Sequence, residues 1–317
     1  MSIEALLSHA DGSDVIVDEQ RLPARIGDDE LLWVDLVAPD EREVTLLRRQ
    51  LDLTDAAVEA LTADLARVRA RVLDDGVEVV VVAVDVEHDD EPDHLQILVA
   101  DRFVITRHET RLAFLDDHRE RIQDQREVGR LTPAQFLAEL LNWQLDTYLA
   151  GADLLEREVD RLDDAALRTE RDLLNRLVAM RRRIAGFRRV LLPHRDVYAE
   201  LARPDFLPKR HRAAAEELER LVERFERASD AFSHAREMLI GTFDVHMTRT
   251  AQRTNDVMRL LTLASVVLLP AVVIAGVMGM NFKVPIFDDP VFFWVVIAGM
   301  LALALATIAV ARWRRWL

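Results

Sequence analysis

The chain contains no cysteine, so neither a disulfide framework nor a thiolate metal site is available to it. Positive charge is also scarce: 41 Lys and Arg face 56 Asp and Glu, and a net charge of −15 argues against a nucleic-acid partner, which needs a basic face. The N-terminus lacks the basic segment and apolar core of a secretory signal. No histidine pair has HExxH spacing and no glycine-rich loop precedes a lysine, so the sequence predicts no enzyme active site.

Proline is absent between Pro208 and Pro270, and Gly241 is the only glycine in that stretch. This lack of helix breakers predicts one helix from about 209 to 281, roughly 105 Å long at 1.5 Å per residue. Its apolar seam consists of Leu218, Leu221, Phe225, Phe232 and Leu239. Because one subunit cannot bury a helix of that length, the sequence predicts a bundle of several copies.

Charge is missing from two runs near the C-terminal end. One lies between Arg259 and Lys283, and the other covers 291–311. Each reaches the about 20 apolar residues that a helix needs to cross a bilayer. They predict a first membrane span at about 260–281 and a second at 291–311. The short loop 282–290 makes the pair a helical hairpin.

Arginines flank both spans on the side away from this loop: Arg249, Arg253, Arg259, Arg312, Arg314 and Arg315. The loop itself carries Lys283 against Asp288 and Asp289. Because positive residues stay on the inner side of a membrane, we expect both termini, including the basic tail 312–317, to be cytoplasmic. The loop 282–290 is then extracytoplasmic, and membrane lipid is an expected partner.

The rest of the chain predicts a cytoplasmic part with two regions. Residues 1–110 have mixed α/β signals, with strands at 15–17, 31–36, 77–86, 95–99 and 103–106 and helices after Pro39 and Thr54. Residues 111–208 are helical and highly charged, with an interruption near Asp163-Asp164. The fold class is therefore an α+β cytoplasmic domain followed by long helices and a C-terminal two-helix transmembrane hairpin.

The end of the first span carries a family resemblance. Thr254–Met258, Leu261-Thr262, Pro270 and the motif Gly279-Met280-Asn281-Phe282 are together similar to the pore helix of the CorA family of magnesium and cobalt transporters, the Gly-Met-Asn channel family. More diffusely, "WVDL", "FVITRH" and the basic tail also resemble that family. The resemblance implies a funnel-shaped homopentamer in the inner membrane. It would pass Mg²⁺, with Co²⁺ and Ni²⁺ as further ions, and need no cofactor.

Within this reading, Gly279, Met280 and Asn281 form the selectivity filter. Mg²⁺ holds its waters tightly, so a ring of Asn281 carboxamides would bind the hydrated ion through its water. Gly279 would let the backbone come close, while the thioether of Met280 packs rather than binds a hard cation. The alternative is that Asn281 joins neighbouring helices by hydrogen bonds and Gly279 is an ordinary packing residue.

Residues at helical spacing below the filter would line the pore. They are Asp244, Asn255, Met258, Leu261, Thr262, Ser265, Leu269, Val272 and Gly276. The row is polar at its ends and apolar in its middle, which suits a constriction that closes by dewetting. Asp244 and Asn255 would attract cations at the inner end. Thr262 and Ser265 can equally bond the carbonyls of their own helix.

Some positions depart from the family pattern. Met278 replaces the usual tyrosine, Leu269 replaces a methionine, and the outer-mouth acids would be Asp288 and Asp289. The family often has a Glu-Asp pair in its second cytoplasmic helix, where this chain has Glu59-Ala60. Glu59 is thus a candidate ligand for regulatory Mg²⁺. The acidic run 85–94 is better explained as a solvated hairpin than as a metal site.

Two other functions stay open from the sequence. One is a zinc transporter of the ZntB kind, which the intact Gly-Met-Asn methionine disfavours. The other is a membrane-anchored helical scaffold that conducts no ion. Divalent-ion flux separates both from a magnesium channel.

Overall fold

The computed structural model describes residues 3–9, 11, 13–17, 22–23, 26–27, 30–65, 67–74, 76–84, 92–117, 119, 131–168, 172–203, 205–206, 214–280 and 290–313. The chain divides into two compact units. The first lies within 1–165 and 170–242, and the second within 166–169 and 243–317. The filter residue Asn281 and the acids Asp288 and Asp289 lie outside the described residues, as does most of the acidic run 85–94.

A seven-stranded sheet forms the centre of the first unit, in the order β2-β1-β3-β7-β6-β5-β4. Among the strands that the structure describes, β3 and β7 alone pair in parallel, and the other neighbours are antiparallel. The strands are β1 (Ile3–His9), β2 (Asp14–Val17), β3 (Glu30–Val37), β4 (Arg69–Leu73), β5 (Gly76–Val84), β6 (Pro92–Val99) and β7 (Phe103–His108).

The most apolar strand, β5, is buried along its whole length. Its β-branched run could therefore be predicted as a strand covered on both faces. The first residue of β5 is Gly76. A side chain is excluded at this position, because a Cβ atom there would lie 2.0 Å from the carbonyl oxygen of Val99. Strands β1 and β4 were missed by sequence reasoning. Strand β4 was missed because the charged residues Arg69 and Arg71 are atypical of a strand. In the structure both arginines form ion pairs with Glu78 on β5.

Two short helices cover one face of the sheet. Helix α1 (Glu41–Leu51) begins at Asp40, whose carboxylate accepts from the backbone of Arg42 and Glu43 in a capping box. Helix α2 (Asp55–Thr62) begins at Thr54, as predicted. Val44, Leu47 and Leu61 join Val34 and Ile105 of the strands in one core.

Helices account for most of the remaining first unit: the long α3 (Pro133–Arg168) and α4 (Leu173–Leu191) and the short α5 (His194–Leu201). Phe136 of α3 packs edge-on against Trp33 of β3 at 5.3 Å between ring centres. The predicted interruption at Asp163-Asp164 is wrong, because α3 continues to Arg168. Both aspartates follow buried Leu162 and leave the apolar stripe of the helix intact.

Helices α3 and α5 also complete the hydrogen bonding of β5 beyond the end of β4. The backbone N–H of Val82 donates to Nε2 of His194 at 2.8 Å, and Tyr148 donates to the Val82 carbonyl at 3.1 Å. Gln144 donates to the same carbonyl. Burial lowers the pKa of His194 to about 4, so its ring stays neutral and accepts this bond.

Helix α6 (Ala215–Met278) is the predicted long helix. Its seam residues Leu218, Leu221, Phe225, Phe232 and Leu239 are all buried by other parts of the same chain. The seam is therefore no argument for association between copies, which corrects the inference from sequence. Every buried residue of α6 precedes Phe243, where the second unit begins.

The second unit contains the rest of α6 and helix α7 (Pro290–Trp313). Both helices are long and apolar enough to cross a membrane. The observed elements thus confirm the predicted fold class of an α+β domain, long helices and two C-terminal apolar helices.

Candidate ion pathway

The predicted pore-lining residues all lie on exposed positions of α6. They are Asp244, Asn255, Met258, Leu261, Thr262, Ser265, Leu269, Val272 and Gly276. The two leucines are large apolar side chains left open, with Leu269 65% exposed. One chain cannot enclose a pore with one helix, so this face is available for neighbouring copies.

The opposite face of α6 is partly buried instead. Its members recur every three or four residues: Leu263, Val267, Ala271, Ile274 and Met278. Helix α7 has a similar stripe, formed by Phe292, Val296, Met300, Ala304 and Thr307 and ending at buried Ala311. Because such stripes arise where a helix is covered on one side, each span has a protein-facing side distinct from the predicted pore face.

Helix α6 ends directly before the Gly-Met-Asn motif. The backbone N–H of Gly279 donates to the carbonyl of Ala275 at 2.9 Å, and that of Met280 donates to Val277 at 3.2 Å. The last carbonyls of a helix lack internal partners and carry the negative end of its dipole. Such an end favours a cation beside Gly279. A Cβ at Gly279 would make only ordinary contacts within this chain. If Gly279 is needed for a close backbone approach, that approach must therefore be to a neighbouring copy.

The hydroxyl groups of the pore face bond their own helix. Thr262 donates to the carbonyl of Met258 at 2.8 Å, and Ser265 donates to that of Leu261 at 2.9 Å. The sequence left open whether these hydroxyl groups face the pore or bond the carbonyls of their own helix, and the structure has them bonded to their own helix. The hydroxyl hydrogens are therefore engaged, and the middle of the face is less polar than its composition indicates.

The proposed regulatory position has different surroundings from those expected. Glu59 is exposed on α2, but Ala60 is fully buried and its carbonyl accepts from Gln96 at 2.8 Å. A carboxylate at position 60 would point into the core rather than to a neighbouring subunit, which corrects the comparison with a Glu-Asp pair. Within the described ranges, no three or more His, Asp or Glu side chains are grouped so as to hold a metal.

Sequence reasoning missed a buried polar network in the first unit. Asp35 accepts hydrogen bonds from Thr106, from Nε2 of His108 at 3.1 Å, and from Arg119 at 2.6 Å. Trp33 donates to Thr106 at 2.9 Å. Except for Arg119, the signal was present, because Trp33, Asp35, Thr106 and His108 belong to the "WVDL" and "FVITRH" segments, where polar side chains interrupt buried strands.

This network shifts the titration of its members. Burial alone would raise the pKa of Asp35, but the bonds and charges of His108, Thr106 and Arg119 lower it below its ordinary value. Burial alone would lower the pKa of His108, but the carboxylate of Asp35 raises it. The network joins β3, β7 and the helical residues 113–117 with Arg119, and its role is to hold that segment on the sheet.

Known proteins match this chain over most of its length. Residues 28–312 match the family model described as "CorA-like Mg2+ transporter protein". The cobalt/magnesium transport protein CorA of Methanocaldococcus jannaschii is 23% identical over 316 residues, 97% of each chain. That of Thermotoga maritima is 25% identical over 233 residues, 73% of this chain and 66% of that protein.

The same fold is found in a solved structure. The complete structure of the CorA magnesium transporter from Methanocaldococcus jannaschii has a TM-score of 0.81 to this chain at 21% sequence identity. The match covers 100% of this chain and 99% of that one, so the first unit, α6 and α7 all have counterparts there.

Proposed function

The chain belongs to the CorA-like Mg²⁺ transporter family, and on that premise we propose that it conducts hydrated Mg²⁺ through a pore formed by several copies of itself. Membership makes it a divalent cation transporter and not an enzyme. Co²⁺ and Ni²⁺ are further ions of the proposed pore. The observation that carries this proposal is the exposed face of α6, which ends directly before Gly279-Met280-Asn281.

Self-association follows from the geometry of a pore. A single α6 leaves Leu261 and Leu269 exposed, whereas a ring of α6 helices would turn these residues toward a shared axis. We propose a homopentamer, as the family resemblance implies. Its dry leucine rings would close the pathway by excluding water, and their hydration would open it.

Selection takes place at the outer end in this proposal. A ring of Asn281 carboxamides would hold the ion through its bound waters, and the carbonyl end of α6 would add a favourable dipole. Mg²⁺ loses its waters reluctantly, so binding without dehydration allows fast release. Met280 would pack around the ring, and Asp288 and Asp289 would concentrate cations at the mouth.

The domain arrangement completes the proposal. Residues 1–110 and 111–208 are cytoplasmic, 209–281 form the stalk and first span, and 291–311 the second span. The loop 282–290 is extracytoplasmic and the tail 312–317 cytoplasmic, in the inner membrane. The supporting observation is the arginine distribution on the two sides of the spans.

Ion flux into liposomes tests this function. Purified chain in vesicles loaded with a Mg²⁺-sensitive dye should admit Mg²⁺ down its gradient, and Co²⁺ should compete. Zn²⁺ uptake that requires a proton gradient, without Mg²⁺ flux, would support a zinc transporter instead. Vesicles that admit no divalent ion would support the non-conducting scaffold.

A further inference from the structure

The antiparallel pair of α3 and α4 carries opposite charges on its two outer sides. The 23 residues from Leu173 to Arg195 contain seven arginines and no acid, in a chain of net charge −15. The facing part of α3, from Asp153 to Asp164, contains six acids against two arginines. Where these charges point is decided by the contacts between the two helices.

One ion pair marks the side on which the helices meet. Glu158 of α3 and Arg183 of α4 lie 2.7 Å apart. Each directly precedes a buried residue, Val159 and Ile184 respectively. Because successive helix residues turn by about 100°, residues that directly follow a buried position lie on the opposite side of each helix, away from the partner.

That outer side of α3 is acidic. Asp153, Glu156, Asp160 and Asp163 each follow a buried residue, and we call them the acidic flank. Asp153 and Asp160 are exposed, and Glu156 and Asp163 half-buried. No ion pair within the described ranges engages any of the four carboxylates. They are therefore available to a cationic partner.

The outer side of α4 is basic and partly apolar. Arg181 and Arg188 follow buried Met180 and Phe187, and with exposed Leu174, Val178 and Leu192 they form what we call the basic flank. Neither arginine has an ion-pair partner among the described residues. The Nε atom of Arg188 is buried without an acceptor. Leu174 and Leu192 are nearly half exposed, so this flank has apolar surface to cover as well as charge to neutralise.

The two flanks lie at the same height along the helix pair. The contacts Glu158–Arg183, Tyr148–His194 and Gln144–Tyr198 fix an antiparallel register between α3 and the α4–α5 segment. In that register Arg181 is level with Asp160, and Arg188 is level with Asp153. A copy displaced sideways would thus bring opposite charges together without sliding along the helix direction.

We propose that the basic flank of each subunit docks against the acidic flank of the next copy, so that the α3–α4 pairs form a closed head-to-tail ring of ion pairs. Complementary patches on opposite sides of one molecule produce a heterologous contact, which closes into a ring when the rotation allows. The inference rests on the self-association in the proposed function. It adds which cytoplasmic surfaces meet and which residues pair.

Cysteine cross-linking tests the pairing directly, because the natural chain has no cysteine. The full-length variant carrying Asp160→Cys and Arg181→Cys should give a ladder of covalent oligomers with a short bis-maleimide. Each single variant should give none alone, but a mixture of the two should give dimers. The matched control is Arg161→Cys with Arg181→Cys, since exposed Arg161 adjoins Asp160 but lies off the acidic flank; its ladder should be largely lost.

A charge exchange provides the second test. Arg181→Glu should reduce the oligomeric fraction in native mass spectra as salt is raised, and adding Asp160→Arg to the same chain should restore it. Single variants that cross-link with themselves, or an absent ladder in an oligomer that still conducts Mg²⁺, would overturn the ring of ion pairs while leaving the proposed function intact. A monomeric chain without flux would overturn both.

Discussion

The hydroxyl group of Thr262 donates a hydrogen bond to the carbonyl oxygen of Met258, 2.8 Å away and one turn earlier on α6. Ser265 makes the same kind of bond to Leu261. These bonds turn two polar residues inward onto the helix, between the apolar positions Leu261 and Leu269. The stretch proposed to close by dewetting is therefore longer than the sequence alone indicates.

Replacing Thr262 by valine tests this assignment. Thr262→Val removes the hydroxyl and keeps the shape, so we expect Mg²⁺ flux close to that of the unaltered chain and an unchanged oligomer mass. If the Thr262 hydroxyl instead binds the waters of the passing ion, its removal should reduce Mg²⁺ flux steeply. Initial rates of Mg²⁺ entry into vesicles decide between these results.

A polar residue in the proposed constriction should hydrate it. Leu269→Asn places a ring of carboxamides at the proposed Leu269 constriction, so we expect a raised Mg²⁺ leak at high internal Mg²⁺, the condition proposed to close the pore. Leu260→Asn is the matched control, because Leu260 is 67% exposed but lies on the opposite side of the helix from Leu269, nine residues or about 180° around it. Equal leak through both variants, or through neither, would place the barrier away from Leu269.

We expect a carboxylate at position 60 to lower the stability of the fold rather than to change the sensing of internal Mg²⁺. Ala60→Asp would bury a carboxylate beside Gln96 without a cationic partner, which should destabilise the first unit by about 3–5 kcal/mol. Glu59→Gln alters an exposed side chain and should leave the unfolding midpoint unchanged. If Glu59 binds regulatory Mg²⁺, that variant should need more internal Mg²⁺ for half closure.

Chemical unfolding and flux, measured on both variants, separate these effects. A stable Ala60→Asp protein with a lowered half-closing concentration would show that position 60 reaches a metal after all. An unchanged half-closing concentration in Glu59→Gln would remove Glu59 from the sensing site.

The Asp35–His108 pair predicts a loss of stability as pH rises above the ordinary pKa of histidine. Because the folded state raises the pKa of His108, its protonated form stabilises the fold fully below about pH 6.5 and loses that effect as pH rises through the raised value. We expect the unfolding midpoint of the full chain to decline over this range. In His108→Gln the midpoint should be lower near pH 6 and the decline smaller. The same decline in both proteins would assign the effect to other groups.

At low pH the stability of the fold depends on pH in the opposite direction. The lowered pKa of Asp35 means that its carboxylate stabilises the fold above its ordinary value near 3.8 and that this effect is lost as pH falls. The pair is therefore fully charged only between the two titrations, where the network around Trp33 should be most stable.

Much of the fold could be predicted because it depends on local patterns. The β-branched run of β5, the acidic helix start after Pro39, the cap at Thr54 and the charge-free spans each carry their own signal. Strand β4 could not be predicted, since Arg69 and Arg71 are acceptable in a strand only through Glu78 on its neighbour. Burial of the α6 seam likewise depends on α3 and α4, which are distant in sequence.

The candidate pathway shows the same division. Spacing alone put Asn255, Leu261 and Leu269 on one face, and the structure places them on exposed positions of α6. The hydrogen bond of Thr262 to its own helix and the burial of Ala60 could be recognised only in the three-dimensional structure. Opposite charge on the outer flanks of α3 and α4 was visible as composition, but only the Glu158–Arg183 contact shows which way each flank points.

The filter assignment is the centre of the account, and Asn281→Ala tests it most directly. The substitution removes the carboxamide proposed to hold the hydrated ion while leaving α6 and its apolar rings unchanged. Mg²⁺ entry should be measured in vesicles, with native mass spectra of the same preparation as the control for assembly. The account predicts loss of most Mg²⁺ flux in an intact oligomer; near-normal flux would contradict it.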